Sequence, residues 1–169
     1  MELSKRLNWI IEKVNNVDTI VDIGTDHGYI PIYLIKNNIA KKVIASDINK
    51  EPLNKAKINA ALDGVSDKID LRLGGGLYPL KNKEAQAVII AGMGGNLIRD
   101  ILENDLDKVR NLDYLILQPA QNPEVLREYL YKNDYEILDE DWKSALANTA
   151  MAGALVGTGA AMLSPEIGR

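Results

Sequence analysis

Short apolar runs alternate with helix-like segments along most of this chain, and that alternation limits the possible folds more than any other feature. Apolar runs predict strands at residues 19–23, 41–48, 68–73, 85–92, 112–119 and 135–140. Helical periodicity follows most of them. Strands that alternate with helices predict an α/β fold with a doubly wound, mostly parallel sheet, whose ligands bind beyond the carboxyl ends of the strands. A seventh strand is not evident, so the sheet is expected to lack its last strand.

The last 28 residues differ from the rest, and we expect a folded domain over residues 1–141 and an atypical tail over 142–169. Residues 145–163 carry no charge and place Gly153 and Gly157 in a small-xxx-small pattern. A membrane span is one interpretation of this segment. Its richness in Ala, Gly and Thr instead favours a small-residue helix or a tail, so no membrane partner is expected.

Composition excludes several kinds of site. The chain has no cysteine and one histidine, which excludes disulfides, cysteine-ligated zinc and multi-histidine centres, so no metal is expected. The opening residues do not resemble a secretory signal, and we expect a cytoplasmic location. A net charge of −4 disfavours a surface that is basic all round, so any contact with nucleic acid must be local.

The turn after the first predicted strand reads Asp22-x-Gly24-x-Asp26-x-Gly28. In the dinucleotide fingerprint the residue corresponding to Asp26 is a glycine that lets the backbone approach a pyrophosphate. A carboxylate there repels a phosphate but attracts the sulfonium and ammonium groups of S-adenosylmethionine. The turn therefore favours S-adenosylmethionine over NAD. An acid about twenty residues later, Asp47, suits the ribose hydroxyls of either cofactor.

Other roles remain open for these loop residues. Asp26 could cap the following helix, and His27 is expected to shape a pocket by hydrogen bonding and not to act as a base. The stretch AGMGGN at 91–96 either cradles a ligand with its N–H groups or forms a tight turn. The amide of Gln118 suits the edge of a base, whereas Asn122 is expected to cap a helix.

Four stretches together resemble one family: LSKRL at 3–7, DIGTDHGYIP at 22–31, AGMGG at 91–95 and LILQP at 115–119. Over residues 1–140 the chain is similar to the bacterial tRNA (adenine-N1)-methyltransferases that modify position 22 of tRNA. The resemblance implies a Rossmann-like class I methyltransferase fold, S-adenosylmethionine as cofactor and tRNA as partner. It also implies methyl transfer to N1 of an adenine that is extruded into the pocket.

The resemblance also implies roles for individual residues. Asp26 would position the adenine or accept a proton from its amine, which makes it the candidate catalytic residue. Cofactor-binding roles fall on Asp22, Gly24, His27, Gly28, Asp47, Ile48, Gly74, Gly75, Gly76, Ala91, Gly92, Met93 and Gly94. Substrate-binding roles fall on Lys5, Arg6, Tyr29, Gly95, Gln118 and Pro119, with Lys5 and Arg6 as phosphate contacts.

Three departures from the family pattern keep alternatives open. Gly75 stands where relatives have an acid, Ala120 stands where they have Asn, and their helical C-terminal extension is not recognisable after Asp141. A domain that binds the cofactor without catalysing transfer is one alternative. A methyltransferase for a small molecule is another, and it suits the acidic charge. An NAD-dependent oxidoreductase is disfavoured by Asp26.

Overall fold

The computed structural model describes residues 4–15, 17–141 and 154–157, with 138–141 and 154–157 described by their backbone alone. The chain forms two compact units, residues 1–79 and residues 80–169. The expected division at residue 141 stays a prediction, because residues 142–153 and 158–169 lie outside the described ranges.

Unit 1 is a three-stranded parallel sheet with helices between the strands. Its strands follow the order β3-β2-β1. The elements are α1 (Lys5–Glu12), β1 (Val17–Ile23), α2 (Tyr29–Lys36), β2 (Ala40–Asp47), α3 (Lys50–Leu62), a 3-10 turn (Ser66–Lys68) and β3 (Ile69–Leu73).

The hydrophobic pattern explains why these segments adopt these structures. Residues 43–47 of β2 are all buried, as expected of a parallel strand with neighbours on both sides. Helix α2 buries five of its eight residues, and Ser4 is the N-cap of α1, where its Oγ accepts a hydrogen bond from the N–H of Leu7 at 3.3 Å.

The described residues of unit 2 form four strands in the order β4-β5-β7-β6. Strands β4 and β5 are parallel, whereas β7 is antiparallel to both β5 and β6. The elements are β4 (Ala87–Gly94), α4 (Gly95–Asn104), α5 (Leu106–Val109), β5 (Tyr114–Gln121), α6 (Pro123–Lys132), β6 (Ile137–Asp141) and β7 (Ala154–Gly157). The one-turn helix α5 was not predicted.

Strand β7 corrects the expectation that the last strand is missing. Residues 154–157 belong to the small-residue segment, yet they pair with Leu115–Leu117 and with β6. Small residues and Val can form a strand when paired neighbours supply the hydrogen bonds, so tertiary pairing decides the conformation here. Most of the suspected span at 145–163 lies outside the described residues, and no helix in the described part is long and apolar enough to cross a membrane.

Candidate active site

The predicted site residues of unit 1 meet at one edge of its sheet. Ile23 pairs with Ser46 and Asp47 pairs with Leu73, so the carboxyl ends of β1, β2 and β3 lie at the same level. The N–H of Gly74 donates to the carbonyl oxygen of Asp47 at 2.9 Å, which ties the glycine loop at 74–76 to β2. The turn after β1, the end of β2 and the glycine loop are therefore neighbours.

Asp47 organises this edge. Its Oδ2 accepts a hydrogen bond from the N–H of Asp26 at 3.3 Å, and its Oδ1 accepts one from the N–H of Asn49 at 3.0 Å. The side chain is buried, with 8% of the residue surface exposed. Each carboxylate oxygen can accept a second hydrogen bond, so Asp47 can hold the turn and still bind ligand hydroxyls.

The backbone N–H of Asp26 is held by its hydrogen bond to Asp47, whereas its carboxylate is exposed. Its φ of 56° lies in the left-handed region, which Asp tolerates better than most residues, and 70% of its side chain is exposed. The capping role considered for Asp26 is wrong, because Gly28 occupies the N-cap of α2 and no side chain caps that helix. The Asp26 carboxylate is therefore available to a ligand.

His27 and Tyr29 form a stacked pair beside this carboxylate. Their ring centroids are 5.4 Å apart with an interplanar angle of 23°, and Nδ1 of His27 lies 3.4 Å from Oδ2 of Asp26. Asn59 donates to the carbonyl oxygen of His27 at 2.9 Å, which fixes the turn against α3. Tyr29 remains 44% exposed, so its ring is not buried by helix packing.

Gly28 is required by two constraints at once. Its φ of 79° favours glycine, and a Cβ at this position would lie 2.9 Å from the Cβ of Ala56. The glycine therefore allows α2 and α3 to approach each other closely, a role that needs no ligand.

Asp22 is a buried acid at the base of the turn, with 3% of its surface exposed. Burial raises its pKa to about 7; the Thr25 side chain lowers the pKa, the charge of Asp47 raises it and the charge of Arg6 lowers it. Arg6 is thus close enough to act on this site, while Lys5 is exposed on the same turn of α1. The sequence predicted a role for Asp22 but not its burial.

An exposed apolar surface lies next to the glycine loop. Ile48 is 71% exposed and directly follows the buried Asp47 that ends β2, whereas Leu73 is 51% exposed and is the last residue of β3. A Cβ at Gly75 would lie 3.7 Å from Cδ1 of Ile48, an ordinary contact, whereas a Cβ at Gly74 would meet Pro79 at 2.5 Å. Exposed apolar groups at a strand edge suit a flat heterocycle.

A cavity of about 460 Å³ opens between the turn and the first residues of α3. Asp26 and His27 line one side, and the other side includes Asn49, Lys50 and Lys55. These last three residues were not predicted from the sequence. Asn49 and Lys50 follow Asp47 closely, and that position was the available signal, because ligands of such sheets bind just beyond the strand ends.

The predicted residues of unit 2 lie in the second halves of β4 and β5 and at the first residue of α4. Ala91 pairs with Gln118 and Met93 pairs with Pro119, with irregular register on both sides of Met93. Gly92 has a φ of 80° but lies within β4, which continues to Gly94, so this stretch is an irregular strand and not the tight turn considered from the sequence. Gln118 is buried, with 4% of its surface exposed, and its Oε1 accepts no hydrogen bond from any residue of the described ranges.

Two residues that directly follow these strands, Gly95 after β4 and Asn122 after β5, have structural explanations. A Cβ at Gly95 would collide with the carbonyl oxygen of Asn122, so close packing accounts for that glycine, and its substrate-binding role stays a prediction. Asn122 occupies the N-cap position of α6 in a left-handed conformation, but its side chain makes no capping hydrogen bond. The expected side-chain cap is therefore wrong, and Pro123 begins the helix without an N–H that needs a partner.

Comparisons with known proteins agree with this architecture. The sequence profile of the methyltransferase domain family matches residues 3–146. The chain is 42% identical over 140 residues to the tRNA (adenine(22)-N(1))-methyltransferase of Bacillus subtilis (strain 168), covering 83% of this chain and 59% of that relative. The chain thus spans less than two thirds of that relative's length.

Solved structures show the same fold. A protein of the NADB-Rossmann superfamily from Streptococcus agalactiae superposes with a TM-score of 0.86 at 35% identity, covering 94% of this chain and 69% of that one. M. capricolum TrmK, in complex with S-adenosyl-homocysteine, superposes with a TM-score of 0.84 at 34% identity, covering 94% of this chain and 70% of that one. The predicted Rossmann-like α/β fold is confirmed, and the chain belongs to the methyltransferase domain family.

Proposed function

We propose that this chain transfers the methyl group of S-adenosylmethionine to N1 of an adenine in tRNA, at position 22. The similarity to the B. subtilis tRNA (adenine(22)-N(1))-methyltransferase supports the substrate. The observation that carries the cofactor class is the turn after β1, where Asp26 exposes a carboxylate while its N–H is bound by Asp47. The exposed Asp26 carboxylate disfavours a phosphate next to it and favours a cationic group, while Lys50 and Lys55 line the other side of the same cavity.

The residues of unit 1 fit S-adenosylmethionine in their chemistry. Asp47 keeps acceptor capacity for the ribose hydroxyls, and the apolar surface of Ile48 and Leu73 suits the adenine ring. A nearby cation would stabilise the ionised form of the buried Asp22 carboxyl, because its positive charge offsets the cost of ionising an acid in a buried position. Ala91, Gly92, Met93 and Gly94 are the proposed cofactor contacts of unit 2.

S-adenosylmethionine supplies an electrophilic methyl group when it is bound. The N1 lone pair of adenine needs no strong base, so orientation and exclusion of water contribute much of the rate. Asp26 then positions the base and accepts a proton from its exocyclic amine as positive charge develops there. Tyr29, stacked on His27 and partly exposed, offers a ring against which an extruded base can pack.

The tRNA contact is proposed to be local and to include the first turn of α1. Lys5 is exposed, whereas Arg6 is partly buried and its charge lowers the pKa of Asp22. Lys5 is therefore the residue of the two whose replacement tests a phosphate contact without also changing the charge around Asp22. Replacement of Lys5 by alanine should reduce the slope of log affinity against log salt by about one. A tRNA substrate agrees with the proposed cytoplasmic location.

The proposed function is tested in two steps. Calorimetric titration with S-adenosylhomocysteine, with NAD as the control, should show binding of the former alone. Unmodified tRNA transcripts are then incubated with S-adenosylmethionine and the methylated base is mapped, with a transcript carrying guanosine at position 22 as the control. Cofactor binding without methylation of any tRNA would favour a non-catalytic domain or a small-molecule methyltransferase. Binding of NAD alone would contradict the proposal.

A further inference from the structure

The side chain of Gln118 has an unmet hydrogen-bonding requirement inside unit 2. It is the fifth of the eight residues of β5 with 4% of its surface exposed, and its Oε1 accepts no hydrogen bond from any residue that the structure describes. Leaving a buried acceptor unsatisfied costs about 1 to 3 kcal/mol, so such groups are uncommon and need an explanation. A ligand that brings a donor would recover this cost.

The strand pairing beside Gln118 is irregular and involves small residues. Its partner across the ladder is Ala91, and the register becomes irregular between Ala91 and Met93. Gly92 follows in an exposed, left-handed conformation, and Pro119 contributes no N–H to the ladder. The β4 residue paired with Gln118 is therefore an alanine, followed by a glycine, and neither brings a large side chain to this position.

We infer that the amide of Gln118 recognises the target adenine through its N6 amine and N7, leaving N1 uncovered for methyl transfer; this inference rests on the proposed function. A glutamine amide carries an acceptor and a donor at the spacing of the adenine N6–H and N7 groups. No hydrogen bond to a described residue fixes Oε1, so the terminal torsion can turn to present both amide atoms to the base.

The same pairing contributes to the rate as well as to recognition. The N1 lone pair forms the new bond to the methyl carbon while the departing sulfur keeps the electron pair of the broken bond, and positive charge spreads from N1 onto the amine. An acceptor on that amine is therefore bound more strongly in the transition state than in the ground state.

Guanine is disfavoured by the same amide. It presents two acceptors, O6 and N7, where adenine presents a donor and an acceptor. With guanine bound, Oε1 of Gln118 would stay without a donor, so the cost of the buried acceptor would persist. Gln118 is thus a specificity-determining residue for the proposed reaction.

The test compares Gln118→Met with a matched control, Gln121→Met, because Gln121 lies on the same strand and is exposed. Each protein is assayed on tRNA with adenosine or 7-deazaadenosine at the target position, the latter lacking the N7 acceptor. Gln118→Met should lower kcat/KM on adenosine by roughly tenfold or more. The wild type should prefer adenosine over 7-deazaadenosine by about tenfold more than Gln118→Met does. Gln121→Met should behave as the wild type.

The outcomes separate a recognition role from a structural one. Removing an unsatisfied buried acceptor should leave the thermal midpoint of Gln118→Met unchanged or higher, and S-adenosylhomocysteine affinity should stay within about twofold. Equal preference for adenosine over 7-deazaadenosine in the wild type and in folded Gln118→Met would overturn the inference alone. If the wild type methylates no adenosine, the proposed function is overturned, and the inference with it.

Discussion

The two strand edges of this protein have opposite chemical character. At the edge of unit 1, three carboxylates belong to one short region: Asp22 is buried, Asp47 is hydrogen-bonded to two backbone N–H groups, and Asp26 is exposed. At the edge of unit 2, the stretches 91–96 and 117–122 contain no charged residue. The first edge suits a cationic cofactor, and the second suits an uncharged base that is recognised by amide hydrogen bonds.

The exposed acid of unit 1 should have the largest effect on activity. Asp26→Asn preserves the backbone N–H that donates to Asp47 and tolerates the left-handed φ, so the turn should remain. We expect kcat for methyl transfer to fall by about 100-fold or more, because the proton acceptor is lost. Single-turnover methylation measures this, with Asp18→Asn, an exposed acid on β1, as the control. Unchanged turnover would exclude a catalytic role for Asp26.

The neutral edge of unit 2 should be the more sensitive to added volume. In Gly95→Ala the new methyl group would meet the carbonyl oxygen of Asn122, part of the backbone and unable to move aside. We expect the free energy of unfolding to fall by about 2 to 3 kcal/mol. Gly64→Ala is the control, since its Cβ would meet nothing within 4 Å and only its φ of 69° adds strain. Urea denaturation measures both variants. If the free energy of unfolding falls equally in Gly95→Ala and Gly64→Ala, residue 95 is packed less tightly against Asn122 than the structure indicates.

The buried acid of unit 1 should couple pH to stability and to cofactor binding. The folded-state pKa of Asp22 is about 7, above its ordinary value of 3.8, so the folded state binds more protons between these values. Stability therefore falls as pH rises through this window, and the loss is complete above pH 7. Asp22→Asn should gain on the order of 1 kcal/mol at pH 8 and about nothing at pH 4.

The same substitution should weaken cofactor binding in a pH-dependent way. At pH 8 the wild-type carboxylate can ionise beside a cationic ligand, so Asp22→Asn should bind S-adenosylmethionine about tenfold more weakly. At pH 5.5 the carboxyl is largely neutral and the two proteins should differ less. Calorimetry at both pH values measures this, and an equal difference at both would show that the charge of Asp22 is not used.

The two edges also differ in how far the sequence could predict them. Alternating apolar runs located every strand of the parallel sheet to within about two residues, because burial on both faces leaves a clear hydrophobic pattern. Strand β7 was missed, since Ala154–Gly157 has little pattern of its own and depends on partners far along the chain. The spacing of residues likewise indicated Asp22 and Gln118, but their burial depends on three-dimensional neighbours and so was not visible.

Gly75 offers the smallest and most specific change. The resemblance places an acid at this position in relatives, and here a Cβ would make only an ordinary 3.7 Å contact with Ile48, so Gly75→Asp should fold normally. The new carboxylate would lie beside the exposed apolar surface, where it could accept from the amine of a bound adenine ring. We expect S-adenosylhomocysteine to bind severalfold tighter, the gain of about one hydrogen bond to a charged acceptor. Gly75→Asn, similar in shape but uncharged, should show a smaller increase in affinity in the same titration.

Weaker binding by both variants would mean that the ligand approaches the backbone at residue 75 too closely for any side chain. Glycine at this position would then improve the fit of the ligand instead of removing a contact.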